Sequence, residues 1–471
     1  MSTLAIKKTD LFKLLLTLWV FAISVPYTLS GNPVVGNLSL ATAWFVAFSF
    51  ISGDNYFAKL YFLLFGVFFI LPPLFSDEEN FLAVGFFFRA IALSSTETVW
   101  LQIAIYVFLI AFSLSAFSIR VRRPTTDQRV TRIAHPAAFT FLIIATFLTT
   151  ILFNVREISA VYNEGYQAYF TGDLGIQKSL PVFLLENVFL VLCVIGISRG
   201  GMLPLVLLCV YGLSLSMAGQ RMPGFLLLII AIAIAHPASF FSRRIFLLAM
   251  LGLGFAPPLF MTIQTLRAVG VDGLQAVDVW YFYTDFWAVI AHSMDTLKTA
   301  IISYRLEETS VNLAARLSGT LNVIFSRIFG LELGLNSVGF GAAFSSQMAP
   351  DLFFERGVTF ASSGIAEAYY VGSYFGVALY GVGAFVVCKY LQEAMYRMDA
   401  LSVLLILIFA PRFLVGVRNE LFGWVFEGAI YFAVAYPIFV ACKSIFSKNT
   451  RPTRRDKIWQ NRHQPEKWKY Q

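Results

Sequence analysis

Twelve stretches of mostly apolar residues, each about the length of a membrane crossing, limit what this chain can fold into more than any other feature. They fall at roughly 11–30, 34–52, 57–75, 98–118, 136–154, 181–198, 202–218, 223–241, 245–262, 365–388, 400–416 and 421–442. A helix of ~20 apolar residues crosses the hydrocarbon core of a bilayer. Of the 471 residues, 58% are hydrophobic and only 13% charged, against about 25% charged in a soluble domain. A water-soluble body of this length cannot hide that apolar excess, whereas a bilayer solvates it. The 49 phenylalanines suit lipid-facing and interfacial positions. The first stretch is too long for a signal-peptide core and lacks a small-residue cleavage site, so it reads as a retained anchor behind Lys7 and Lys8.

Lys and Arg set the orientation, because cytoplasmic loops collect them. The loop 119–135 holds Arg120, Arg122, Arg123, Arg129 and Arg132. Arg199, the pair Arg243 and Arg244, and Lys389 with Arg397 mark three more turns. Counting spans from a cytoplasmic N-terminus puts all of them on one side. The tail from Lys443 to Gln471 has nine Lys/Arg against two acids. The net charge of +8 therefore belongs to cytoplasmic ends and to contact with anionic lipid, and calls for no nucleic acid. The segment 81–95 is apolar but short and carries Arg89. A span there would turn the arginine-rich loop outward, so it reads as a re-entrant or interfacial helix on the outer face.

The expected fold is an all-α polytopic membrane protein with about 12 transmembrane helices and both termini cytoplasmic. It divides into an N-terminal bundle, 1–262, with a minor outer loop at 155–180; a large outer loop, 263–364; C-terminal helices, 365–442; and a basic tail, 443–471. The large loop is 102 residues long with nine acids and six Lys/Arg, and loops of that size are uncommon unless functional. Its stretch 275–304 has a helical period in Val279, Phe282, Phe286, Val289 and Ile290, which predicts helices on the outer leaflet over a cavity. Cys193, Cys209, Cys388 and Cys442 lie in or at the ends of apolar segments with no CxxC or Cys/His cluster, so they read as packing residues.

Charges near a membrane need a reason. Arg221, Arg267, Arg412 and Arg418 fall at the outer ends of different helices, where Lys and Arg are disfavoured. Guanidinium forks match phosphate oxygens and stabilise the charge that develops on a diphosphate leaving group. The plain alternative is snorkelling to the interface or pairing with an acid. Glu367 opens a span after Ser362, Ser363 and Gly364. It suits a general base acting on a sugar hydroxyl, and equally a helix-start carboxylate capped by Ser362 or Ser363. His292 is the one histidine on the outer side, a candidate base or a solvated helix residue. Tyr162, Tyr166, Tyr169, Tyr281, Tyr283, Tyr369 and Tyr370 offer stacking platforms for sugars or form an interfacial belt. Pro72/Pro73, Pro257/Pro258 and Pro411 come late in spans and should bend or break them near the outer face. The chain has no Walker loop, DxD or HExxH motif, so no metal and no cofactor is called for.

These residues together resemble a bacterial oligosaccharide repeat-unit polymerase of the Wzy type, the O-antigen polymerase family. The likeness rests on the span count, the one dominant outer loop before the last spans, the GQR turn at 219–221, the run GVTFASSGIAEAYYVGSYFGVALYG that closes the loop, and GYQAYF at 165–170. It implies a metal-independent glycosyltransferase of the bacterial inner membrane that acts at the periplasmic face. Such an enzyme moves a growing glycan from undecaprenyl diphosphate onto an incoming lipid-linked repeat unit. Carried over, Arg221, Arg267, Arg412 and Arg418 would bind diphosphate, Glu367 and His292 would serve as catalytic groups, and Tyr166, Tyr169 and Tyr369 would hold sugar. A separate partner protein would set chain length. The architecture is also similar to that of the O-antigen ligase, although an obvious catalytic histidine motif is missing. A ligase and a lipid-linked oligosaccharide flippase are the alternatives. A flippase needs no 102-residue outer loop, and no inverted repeat is visible.

Overall fold

The computed structural model describes residues 8–30, 32–51, 55–75, 83–84, 91–119, 121, 131–171, 180–217, 221–235, 262, 286–287, 290, 294–305, 313–329, 363–418 and 421–449. Within them the chain is a polytopic helical bundle. Six helices are long and apolar enough to cross a membrane: Pro33–Phe50, Ser95–Ser118, Pro136–Arg156, Leu180–Ile197, Gly364–Arg397 and Val425–Phe446. Five shorter apolar helices stand among them: Phe12–Thr28, Tyr56–Ile70, Met202–Met217, Pro223–Ile234 and Ala400–Val415. The expected stretch 245–262 lies, but for Thr262, outside the described residues, as do Pro257 and Pro258.

In chain order the elements are α1 (Lys8–Thr28), α2 (Pro33–Phe50), α3 (Tyr56–Phe65), a π-helical turn (Gly66–Ile70), α4 (Pro72–Phe75), β1 (Ala83–Val84), β2 (Ile91–Ala92), α5 (Ser95–Ser118), β3 (Thr131–Ile133) and α6 (Pro136–Thr171). Then come α7 (Leu180–Ile197), α8 (Met202–Met217), α9 (Arg221–Ala235), α10 (Asp295–Arg305), α11 (Leu313–Phe329), α12 (Gly364–Arg397), α13 (Ala400–Val415), α14 (Leu421–Phe446) and β4 (Ser447–Asn449). Several helices start where side chains satisfy their first N–H groups. Asn32 caps α2, Ser94 and Glu97 form a capping box on α5, and Asp399 caps α13.

Three of the basic segments share one end of the bundle. β3 pairs antiparallel with β4, matching Arg132 with Lys448. The Ala134 N–H donates to the Phe446 carbonyl at 2.9 Å, and Arg199 Nη1 donates to the same oxygen at 3.0 Å. The start of α6, the α7–α8 turn and the end of α14 therefore meet, as the Lys/Arg pattern requires of segments on one side.

Three features depart from the sequence reading. Segment 81–95 is not one helix: Ala83 pairs with Ala92 and Val84 with Ile91 in an antiparallel ladder, and α5 begins only at Ser95. Nine residues of helix would hold those partners about 13 Å apart, so the chain doubles back as a hairpin. These two short ladders are the described exceptions to an all-helical body. Second, α6 continues to Thr171, so much of 155–180 is helix, and Tyr162, Tyr166 and Tyr169 belong to it. Third, phenylalanine builds the interior as well as the lipid face. Phe62, Phe65, Phe69, Phe108 and Phe112 are fully buried. Phe65 stacks on Phe108 at 4.0 Å, Phe62 on Phe112 at 5.2 Å, and Tyr61 on Phe413 at 4.8 Å. Flat rings let α3, α5 and α13 approach where a bilayer offers no hydrophobic drive between helices.

The described parts of the segment 263–364, expected to lie over the bundle, instead pack into it. Phe286 and Ile290 are buried in the main core, Trp287 stacks on Phe75 at 4.8 Å, and residues 294–302 of the α10 region are buried throughout. α10 packs on α12, α5 and β1, and α11 packs on α14 and α7. Val279, Phe282 and Val289 lie outside the described residues.

Candidate functional site

The site is built on a break in α12. Gly372 (φ −143°, ψ 19°) and Ser373 (φ 50°, ψ −143°) leave helical geometry. A straight helix would hold Gly364 and Tyr380 about 24 Å apart. Instead, a Cβ placed on Gly364 would overlap the Tyr380 hydroxyl, and one on Gly376 would overlap the Ala368 carbonyl oxygen. The element is therefore two antiparallel arms, 364–371 and 374–397, folded together at Gly372–Ser373. Tyr369 closes on Tyr374 across the fold, edge to face at 5.4 Å. Ser373 holds a positive φ that costs a non-glycine residue about 1–3 kcal/mol, so the packed arms hold the turn closed.

The short arm brings Glu367 to the level of Tyr380, inside the bundle. Glu367 is fully buried. It follows the N-cap Ser363, whose Oγ accepts from the Ala366 N–H at 3.3 Å. The capped-carboxylate reading thus holds locally, and the carboxylate is also withdrawn from water. Tyr380 lies within electrostatic reach of Glu367 and hydrogen-bonds the Tyr61 hydroxyl.

Two other elements converge on this arm. The Gly364 N–H donates to the Gly416 carbonyl at 3.3 Å, which sets the turn 416–418 against the start of the arm. That turn carries Arg418, whose guanidinium stands 5.8 Å from the Phe68 ring in the π-helical turn. From α10, Thr296 meets Ser363, oxygen to oxygen, at 3.2 Å. One turn along α10, Lys298 Nζ donates to Asp295 Oδ1 at 3.2 Å, with both side chains essentially without solvent. Burial lowers the Lys298 pKa and Asp295 acts to raise it. Sequence reasoning missed this pair. Its three-residue spacing is visible in DTLK, but nothing local announces burial.

Arg412 lies in a separate cluster. Its Nε donates to Glu427 Oε1 at 3.2 Å, Nη1 to the Ile408 carbonyl at 2.8 Å, and its guanidinium covers the Tyr431 ring at 3.7 Å. Pro411, expected to bend or break its helix, does not break it: the residue sits inside α13, which continues to Val415. Glu186 and Tyr211 form a buried hydrogen bond within electrostatic reach of Arg412. Glu427 already engages Arg412, so this guanidinium works first as an interhelical tie between α13 and α14. Arg412→Ala should lower stability by about 1–2 kcal/mol. Arg412→Ala combined with Glu427→Ala should recover part of that loss in detergent melting curves. An additive double variant would refute the tie.

Arg267 and His292 lie outside the described residues. Arg221 begins α9, and Tyr166 and Tyr169 sit on α6, with the side chains of all three outside the description. The four cysteines are free, Cys193 and Cys388 fully buried, in keeping with packing roles. Among the described residues, no group of three or more His, Cys, Asp or Glu is placed to hold a metal ion. No family model, curated protein or solved structure matches the chain.

Proposed function

We propose that the chain is a twelve-span inner-membrane glycosyltransferase that polymerises undecaprenyl-diphosphate-linked oligosaccharide repeat units at the periplasmic face. The folded-back arm of α12 carries this reading: it sets a buried carboxylate, Glu367, beside the turn that bears Arg418. A carboxylate kept from water suits proton transfer from a sugar hydroxyl, and a fixed guanidinium suits a departing diphosphate. In the proposed reaction the acceptor hydroxyl of the incoming repeat attacks the anomeric carbon of the growing glycan. Its proton passes to Glu367, a glycosidic bond forms, the bond to diphosphate breaks, and undecaprenyl diphosphate leaves. Arg221 and Arg267 would complete diphosphate binding, with Arg412 in a supporting place through Glu427. His292 is the second candidate base, and Tyr166, Tyr169 and Tyr369 are the candidate sugar platforms. The basic end of the bundle would face the cytoplasm with both termini, and a chain-length regulator would act as partner.

Deleting the gene tests the reading. Lipopolysaccharide, or its lipid-linked precursor, should then carry a single repeat unit. Loss of every repeat would point to a flippase or a ligase, and unchanged long chains would refute polymerisation.

A further inference from the structure

α10 is short, buried from Asp295 to Ile302, and meets the cap of the Glu367 arm through Thr296. Its Asp295–Lys298 pair has no solvent to share, so each charge depends on the other and on its immediate protein surroundings. Asp295 also stands in the first turn of α10, where the helix dipole favours an acid. Thr296, between the two charges, meets Ser363, the residue that caps the arm. The arm's other tie described at its start is the Gly364 bond to Gly416. Its far end rests on the Gly372–Ser373 turn, where Ser373 has a positive φ.

We propose that α10 is a latch, and that Asp295 and Lys298 are positioning residues which hold Glu367 in the bundle through Thr296 and Ser363. The ion pair fixes the first turn of α10, that turn fixes Thr296, and Thr296 fixes the cap. Loss of one charge takes from the other a counter-charge held 3.2 Å away in a site without solvent, so α10 shifts toward water and the arm loses its support. Loss of both charges removes that drive. α10 thereby gains a definite task, to hold the arm that carries the carboxylate. The activity part of this inference rests on the polymerase reading.

The test uses the full chain with its four native cysteines replaced by alanine and a single reporter, Ala366→Cys, at a fully buried position of the arm. A membrane-impermeant maleimide is added from the outer side. Asp295→Asn and Lys298→Met should each raise reporter labelling about fivefold or more, as local opening demands. Asp295→Asn combined with Lys298→Met should return labelling toward the parent. Chain extension should fall about tenfold or more in each single variant and recover in Lys298→Arg and in the double variant. Unchanged labelling in both single variants would overturn the latch. A double variant that is protected from labelling yet as inactive as the singles would overturn the positioning role, since Lys298 would then act on substrate directly. A parent without polymerase activity would refute the polymerase reading alone, because labelling still decides the latch.

Discussion

Gly376→Leu is expected to stop chain extension in a protein that still inserts at normal levels. The two arms of α12 touch at Gly376, where even a Cβ would overlap the Ala368 carbonyl oxygen. That neighbour is backbone and has no rotamer to change, so a leucine must push the arms apart. Glu367 is the residue just before Ala368 and moves with it. Displacing a reacting group by about 1 Å costs on the order of a hundredfold in rate, and a leucine at this contact requires more than that. Gly383 lies on the same helix with open space where a Cβ would stand. Gly383→Leu should leave the glycan ladder intact and serves as the control for insertion. Ladders from intact cells, read beside membrane immunoblots, check both variants. A normal ladder from Gly376→Leu would mean that the folded arm has no part in the reaction.

The second large effect is expected from Glu367→Gln. Glutamine keeps the volume and most of the hydrogen bonds but cannot take the acceptor proton. General-base contributions run about a hundredfold to ten-thousandfold, so long chains should vanish while single repeats remain. A capping or dipole role would behave differently. Ser363 supplies the cap, and the loss of one carboxylate near a helix start changes stability by only about 0.3–1 kcal/mol. A Glu367→Gln protein that melts like the parent and makes no long chains therefore assigns the residue to chemistry. A long-chain ladder from it would return Glu367 to a structural role.

Hydropathy made the helices legible in the sequence because a span is long, and its period need not be resolved to be seen. Lys and Arg made the shared end legible, and the β3–β4 ladder with the Arg199 bond to Phe446 brings those segments together. The Ser363 cap was legible as Ser-Ser-Gly before an apolar run. The break in α12 was hidden, because both arms are apolar and the turn uses Ser373, a residue with no strong preference for positive φ. Hydropathy counts residues and does not see direction, so two antiparallel arms read as one long span. Arg412 was visible as a stranded charge, but Glu427 stands on the next helix and only the antiparallel packing of α13 and α14 joins them. The phenylalanine interior was not anticipated for a related reason: composition does not tell an exposed ring from one that faces Phe108. The 83–92 hairpin was missed because four paired residues carry too little pattern to outweigh an apolar stretch.

The most direct test of the account is reconstitution. The purified protein, in vesicles of bacterial lipid, would receive the lipid-linked repeat unit extracted from the deletion strain, with no nucleotide sugar. The account predicts products of two, three and more repeats, release of undecaprenyl diphosphate, and neither from Glu367→Gln. Single-repeat lipid recovered unchanged, or moved across the bilayer without elongation, would contradict it.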